Sequence, residues 1–146
     1  MNAEAMLKTL EEHHRQIEAG LNVIRRHCDA PVPNIDDLAV ARLRLSSASL
    51  ARSVFVTEVV VPCLVKDSDV DRRAELSALQ CKFTAKRQIS CEHVAMWTSV
   101  TIKEDWAGYR AAARLIWAMM EDQIDKERQY LVERLRNGCG PTVVQD

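Results

Sequence analysis

Apolar residues recur in this chain at alternating steps of three and four, which is the spacing of one buried face of an α-helix. In the first stretch this series consists of Leu7, Leu10, Ile17, Leu21, Ile24 and Cys28. The series has one gap, and His14 fills it. The pattern therefore predicts a helix from about Glu4 to Cys28 that points an imidazole into the protein interior.

The second stretch predicts a helix from about Ile35 to Val65, with Asn34 as its N-cap. Its buried-face positions hold Leu38, Arg42, Leu45, Ser49, Arg52, Val56, Val59 and Cys63. The β-branched run VFVTEVVVP is typical of a strand, but a single strand would have no partner in this chain. We therefore predict that this run is helical and that Pro62 bends or tightens its last turn.

Two further helices are predicted, one from about Val70 to Val100 and one from Trp106 to Tyr130 or Leu131. Ser68 or Asp69 is the expected N-cap of the third helix. Its buried-face positions hold Leu76, Leu79, Phe83, Lys86, Ser90, His93, Trp97 and Val100; those of the fourth hold Trp106, Tyr109, Ala113, Ile116, Met120, Gln123 and Glu127. Residues 1–137 are thus expected to form an all-α, up-down-up-down antiparallel four-helix bundle, followed by a flexible tail over 138–146.

Composition limits the classes of partner. The 146 residues suffice for one domain, and four glycines and four prolines are too few turn formers for a β-sandwich or barrel. A net charge of -1 gives no excess of positive charge to attract nucleic acid or an anionic membrane. We find no apolar run of the roughly 18 residues that cross a bilayer, so a soluble, cytoplasmic protein is expected.

Signatures of common enzyme classes are missing from the sequence. It shows no nucleophile with a base, no glycine-rich phosphate loop and no zinc signature. The five cysteines include no C-x-x-C pair. Hydrolase or transferase chemistry therefore has no support, and a non-enzymatic role is favoured.

Several polar residues are predicted to meet at one height inside the bundle. Each helical residue advances about 1.5 Å, so positions equidistant from a turn face each other. This counting gives one layer of His14, Arg52, Gln123 and either Lys86 or Arg87, with Glu127 one turn from Gln123 on the same face. Buried polar groups are costly unless they are paired or bind something, so a functional site is expected in this layer.

The pattern of the chain resembles the hemerythrin-like (HHE cation-binding) family. The resemblance rests on His14 followed by Ile17, on P-C-L at 62–64, and on EDWAGYRAAARLIW before Q-I-D-K-E, and it extends over almost the whole chain. It implies a four-helix bundle with a non-haem di-iron site. The implied ligands are a histidine on the first and third helices and an H-x-x-x-E motif on the second and fourth.

On the first and fourth helices, His14 and Glu127 match the ligands that the resemblance implies, whereas Gln123 stands in place of a histidine. His93, in CEHVAMW, resembles the histidine of the third helix. It lies about six residues too close to the next turn, however, which puts it roughly 9 Å from the layer.

The second helix departs further from the family pattern. Aligned on its proline, the H-x-x-x-E positions hold Arg52 and Val56, and aligned on its glutamate they hold Val54 and Glu58. Neither register contains a histidine. Arginine at this position repels a metal ion, so the chain resembles a degenerate member of the family that has lost its iron.

Two functions from different classes remain open. The first expectation is a binding or regulatory protein without cofactor or metal, whose interior layer of His14, Arg52, Arg87, Gln123 and Glu127 is held by an Arg52–Glu127 or Arg87–Glu127 ion pair. The alternative is an iron-dependent protein that binds or senses oxygen or nitric oxide through His14, Glu58, His93 and Glu127. For His14 itself, a satisfied interior histidine, a surviving ligand and a pH-responsive group all remain open.

The expected partner is an unidentified protein or a small ligand. Self-association through an exposed helix face is a third, purely structural possibility.

Overall fold

The computed structural model describes residues 1–66 and 68–138. Over these residues the protein is all-helical, without a strand, so the predicted all-α class is confirmed. The five helices are α1 (Ala3–Cys28), α2 (Ile35–Lys66), α3 (Val70–Met96), α4 (Ser99–Glu104) and α5 (106–138). The predicted C-terminal tail begins where α5 ends, at Gly138, and its later residues lie outside the described part of the chain.

Each helix begins at a polar side chain that accepts a hydrogen bond from the backbone N–H three residues later. These N-caps are Asn2, Asn34, Asp69, Thr98 and Asp105. The predicted cap at Asn34 is confirmed, and Asp69 rather than Ser68 begins α3. The predicted third helix, which ran to Val100, is too long. In the structure α3 ends at Met96, because Trp97 leaves helical geometry and Thr98 caps a separate short helix. As a result Val100 is exposed instead of buried.

α2 and α5 each contain one π-helical turn, at Val56–Val60 and Arg128–Val132. In α2 the turn precedes Pro62, which has no N–H to donate, and the N–H of Val61 bonds to the carbonyl of Val56, five residues back. The run VFVTEVVVP is therefore helical, as predicted. The extra residue in the turn rotates the buried face by one position, so that Val60 and Leu64 are buried where Val59 and Cys63 were predicted.

Two hydrophobic clusters form the core, one at each end of the molecule. One contains Leu10, Phe55, Val60, Phe83 and Leu131, among others, and the second contains Ile17, Leu38, Leu45, Tyr109 and Ile124, among others. Along α1, α2 and α5 the sequence passes from one cluster to the other at His14, Arg52 and Glu127, all of them buried. A polar layer therefore separates the two apolar clusters.

α3 is less deeply packed than α1, α2 and α5. Of its 27 described residues, the buried ones are Leu76 and Phe83, both in its first half. Just beyond its C-terminal end, Trp97 packs against the second cluster and meets the ring of Tyr109 edge-on, with ring centroids 5.8 Å apart. α3 is thus held as far as its midpoint by Leu76 and Phe83 and just beyond its end by Trp97, while its described residues after Phe83 are not buried.

The expectation that no apolar stretch is long enough to cross a bilayer is wrong. α2 is long and apolar enough to cross a membrane, by length and composition alone, because it continues without a break from Ile35 to Lys66. A single helix of this kind is weak evidence for a membrane span, since core helices of soluble proteins pass the same test.

Replacing Leu131 by Ala should lower the free energy of unfolding by about 2–5 kcal/mol, because this fully buried side chain leaves a cavity in the first cluster. Leu115→Ala, on the same helix but 75% exposed, should change it by less than about 0.5 kcal/mol. Urea denaturation of both variants measures the difference. Equal effects would contradict the core described above.

Candidate functional site

A completely buried carboxylate lies at the centre of the polar layer. Glu127, the last residue before the π turn of α5, has no exposed side-chain surface. Its Oε1 atom lies 2.8 Å from Nε2 of His14, which donates because a carboxylate oxygen can only accept. Its Oε2 atom accepts a hydrogen bond from Nη1 of Arg52. Each oxygen of the carboxylate is therefore occupied by a nitrogen of a different helix.

Gln123 completes the group one helical turn before Glu127. In the amide orientation that pairs each donor with an acceptor, its side-chain oxygen accepts from Nη1 and Nη2 of Arg52, at 2.9 and 3.1 Å. The amide thus holds the guanidinium against the carboxylate. A charge-assisted pair with this support is stronger than one between neutral groups, and its geometry is fixed.

A second ion pair covers the layer on the side where α1 meets α5. Arg128, the residue after Glu127, donates to Glu11 at 3.1 Å and to Glu18 at 2.6 Å. These two glutamates lie on α1 on either side of His14. The two carboxylates raise the pKa of Arg128, so the guanidinium stays charged across this edge.

The predicted contribution of α3 to the layer is not found. Arg87 is exposed and its nearest polar contact is Ser53, at 3.5 Å, while Lys86 pairs with Asp122 at 2.9 Å. The reason is electrostatic. Glu127 already has Arg52 beside it, and the desolvation penalty of a second buried cation would exceed its attraction to a carboxylate that is already paired. Of the five residues predicted for the layer, the structure brings together His14, Arg52, Gln123 and Glu127.

The residual metal-ligand candidates do not converge. Glu58 is exposed on the π turn of α2, and His93 stacks on Tyr109 in the second cluster, with ring centroids 5.9 Å apart. Among the described residues, no group of three or more His, Cys, Asp or Glu side chains is arranged to hold a metal ion. His14 and Glu127 alone remain together, and both are engaged with each other.

The donor set at the layer does not fit a di-iron centre. Such a centre needs several neutral imidazoles and bridging carboxylates around positions left open for ligands. The layer offers one imidazole and one carboxylate, and a guanidinium occupies the side of the carboxylate where a cation would bind.

A cavity of about 380 Å³ lies next to the layer, beneath the second half of α3. α2 and α5 form its other walls, and α1 contributes Leu21 and Ile24. Its rim includes Leu50 and Val94, which are 47% and 46% exposed. A cavity of this size, mostly apolar and with few polar groups, is typical of small-molecule sites.

Three polar side chains meet at one part of the cavity wall. The guanidinium of Arg42 lies over the ring of Tyr109, 5.5 Å from its centroid, and His93 stacks on the same ring. Burial, with a smaller effect of Arg42, lowers the pKa of His93 to about 4, so its imidazole is neutral at pH 7. Burial also raises the pKa of Tyr109 to about 12. Arg42 is therefore the charged group of this trio.

The sequence analysis did not recognise this cavity as a site, although signals for it were present. Arg42, Ser49, Ser90 and His93 were all placed at buried-face positions. Small hydroxyl side chains at such positions leave space in a helical core, and together with an arginine they indicate a cavity with a few polar groups in its wall.

Comparison with protein-family models, curated proteins and solved structures gave no significant match.

Glu127→Gln should lower the free energy of unfolding by about 3–5 kcal/mol, because it leaves the charge of Arg52 buried without its counter-ion. Combining it with Arg52→Met should restore part of the loss, since neither charge then remains. Urea denaturation of the two single variants and the double variant gives the coupling. Asp122→Asn, which breaks exposed pairs with Lys86 and Lys126, is the control and should have little effect. A purely additive double variant would contradict the buried pair.

The stability of the protein should fall in acid partly because of His93. The unfolded chain takes up a proton at this residue as the pH falls through its ordinary value of 6.5, whereas the folded protein resists protonation down to about 4. Stability present above pH 6.5 is therefore lost toward pH 4. The melting temperature of His93→Gln should change with pH as that of the wild type does between pH 8 and 7. Between pH 6.5 and 4.5 it should fall by less than that of the wild type. Identical profiles in acid would contradict the lowered pKa.

Proposed function

We propose that this chain is a hemerythrin-like four-helix bundle in which an internal ion pair has replaced the di-iron centre, and that it acts as a non-enzymatic binding or regulatory protein. The observation that carries the proposal is the buried contact of Glu127 with Arg52 and His14. Glu127 stands where the family has a metal-binding glutamate, and Arg52 lies beside it. This is the arrangement expected of a bundle that keeps its interior carboxylate and neutralises it with an arginine in place of a metal.

The helical arrangement supports the family part of the proposal. Four long helices, α1, α2, α3 and α5, are joined by short connections, with the short α4 inside the last one. Helices joined in this way favour antiparallel neighbours, and bundles of this type place their sites on facing side chains near mid-height. The layer of His14, Arg52 and Glu127 occupies such a position, between the two hydrophobic clusters.

A role in binding is supported by the cavity under α3. Cores of ordinary stability have few voids larger than a water molecule, whereas this one retains a cavity of about 380 Å³ with a charged group in its wall. None of the four layer residues lines the cavity, so replacement of a metal centre by an ion pair would leave this space unchanged.

The iron-dependent alternative requires several groups to move. His14 and Glu127 would have to release each other, Arg52 would have to leave the interior, and Glu58 would have to turn inward from its exposed position. Each of these steps separates or buries charge, which is unfavourable in a low-dielectric interior.

Protein purified without a metal-affinity step and then reconstituted anaerobically with ferrous iron should retain well under one iron per chain after desalting. The variant Arg52→His with Gln123→His should retain more, because it removes the cation and adds two imidazoles beside Glu127. Elemental analysis and the absorption of an oxo-bridged iron pair measure both results.

Arg44→His, at an exposed arginine of the same helix, is the matched control and should leave the iron content unchanged. Wild-type protein that retains roughly two irons per chain, as a di-iron bundle does, and loses them in His14→Ala and Glu127→Ala, would overturn the proposal in favour of the iron-dependent alternative.

A further inference from the structure

We propose that the cavity beneath α3 binds a small amphipathic monocarboxylate, with its apolar body along α5 and its carboxylate at Arg42. This inference rests on the proposed binding function and gives the chemical class of the ligand. It is argued from the origin of the cavity, from its walls and from the charge inside it.

The cavity exists because small side chains stand at positions that face the interior. Ser46 and Ser49 on α2, and Ser90 and Ala95 on α3, line it. Leucine-sized residues at these positions would fill the space, as they do in both hydrophobic clusters. The open space is therefore specified by the sequence over two helices.

The opposite wall is suited to an apolar body. Ile116, Trp117 and Met120 of α5 line the cavity, together with Leu45 of α2. Ile116 and Met120 stand at buried-face positions of α5, yet both are only half-buried. An aliphatic or aromatic group in the cavity would remove their remaining surface from water, which is favourable.

The charge in the cavity selects an anion. Nη2 of Arg42 is buried and has no hydrogen-bond partner among the described residues. The described lining contains a second arginine, Arg87, at the exposed rim, and no aspartate or glutamate. A buried guanidinium nitrogen without an acceptor is costly, and a ligand carboxylate would supply the missing charge-assisted hydrogen bond.

A singly charged head group fits better than a phosphate. Phosphate carries up to two charges and three acceptor oxygens, which call for a cluster of donors. Here one arginine lies inside, and the neighbouring His93 is neutral. The hydroxyl of Tyr109 keeps its proton because burial raises its pKa, and the serine hydroxyls of α2 are uncharged as well. This set matches one carboxylate.

The size of the cavity limits the ligand. At about 30 Å³ for each water-sized group, 380 Å³ accommodates about a dozen non-hydrogen atoms. Decanoate has this size and combines one carboxylate with an apolar chain, and decanol has the same chain without the charge. This pair of probes separates recognition of the charge from recognition of the chain.

The inference is tested by titrating the full chain with decanoate, decanol and acetate. Binding is measured by calorimetry and by the fluorescence of Trp117, which lines the cavity. Decanoate should bind at least about tenfold more tightly than decanol, because decanol cannot accept a charge-assisted bond in the same way. Acetate, which lacks the chain, should not bind measurably.

Three variants locate the site. Arg42→Gln should reduce the affinity for decanoate to that for decanol, whereas Arg44→Gln, at an exposed arginine of the same helix, should leave both affinities unchanged. Ser49→Leu should fill the cavity and abolish binding of both probes. Thermal melting of each variant verifies that it folds, and Arg42→Gln is expected to fold because the Nη2 atom that it removes makes no hydrogen bond to the described residues.

Two kinds of result would overturn the inference: absence of decanoate binding to the wild type, or binding that Arg42→Gln and Ser49→Leu leave unchanged. Failure of the proposed function is seen separately, in the iron content of the wild type. Protein that holds two irons and still binds decanoate through Arg42 would refute the metal-free assignment and leave the cavity assignment intact.

Discussion

Burial of the Glu127 carboxylate is the constraint on which the middle of this protein depends. Removing a carboxylate from water costs several kcal/mol even after the protein relaxes, and the cost is offset only by close, well-oriented partners. Here those partners come from two other helices, His14 from α1 and Arg52 from α2, and Gln123 of α5 holds Arg52 in place. One ionised group therefore fixes the relative heights of three helices. Apolar contacts define these heights less closely, because they are not directional.

The two π turns belong to the same arrangement. One begins at Arg128, directly after Glu127, and the other begins at Val56, four residues after Arg52. A π turn adds a residue and rotates the following part of the helix. Each of these helices can thus present a polar residue to the layer and apolar residues to the next cluster. π turns are rare and frequently accompany functional sites, and both of these turns begin within four residues of the polar layer.

Much of the fold could be predicted from the sequence, because amphipathic spacing and capping residues act locally. The cap at Asn34 and the buried series of α1 from Leu10 to Cys28 follow directly from residue type and spacing, although Met6 is buried in place of the predicted Leu7. The shift of the buried face after Val56 could not be predicted, since it depends on how Pro62 redirects one backbone hydrogen bond. Counting residues from the turns likewise placed Arg87 in the layer and left open whether Arg52 or Arg87 pairs with Glu127; the structure shows that Arg52 does. The cavity was missed because a void is a property of several helices together.

The sparse packing of α3 has a consequence for how a guest would enter and leave. Segments with few buried contacts open at a free energy well below that of global unfolding. The part of α3 over the cavity buries no described residue, whereas Leu76 and Phe83 hold its first half. We expect the second half of α3 to separate from α2 and α5 at a lower free energy than global unfolding requires. A ligand could then enter and leave while the contact of Glu127 with Arg52 and His14 stays intact.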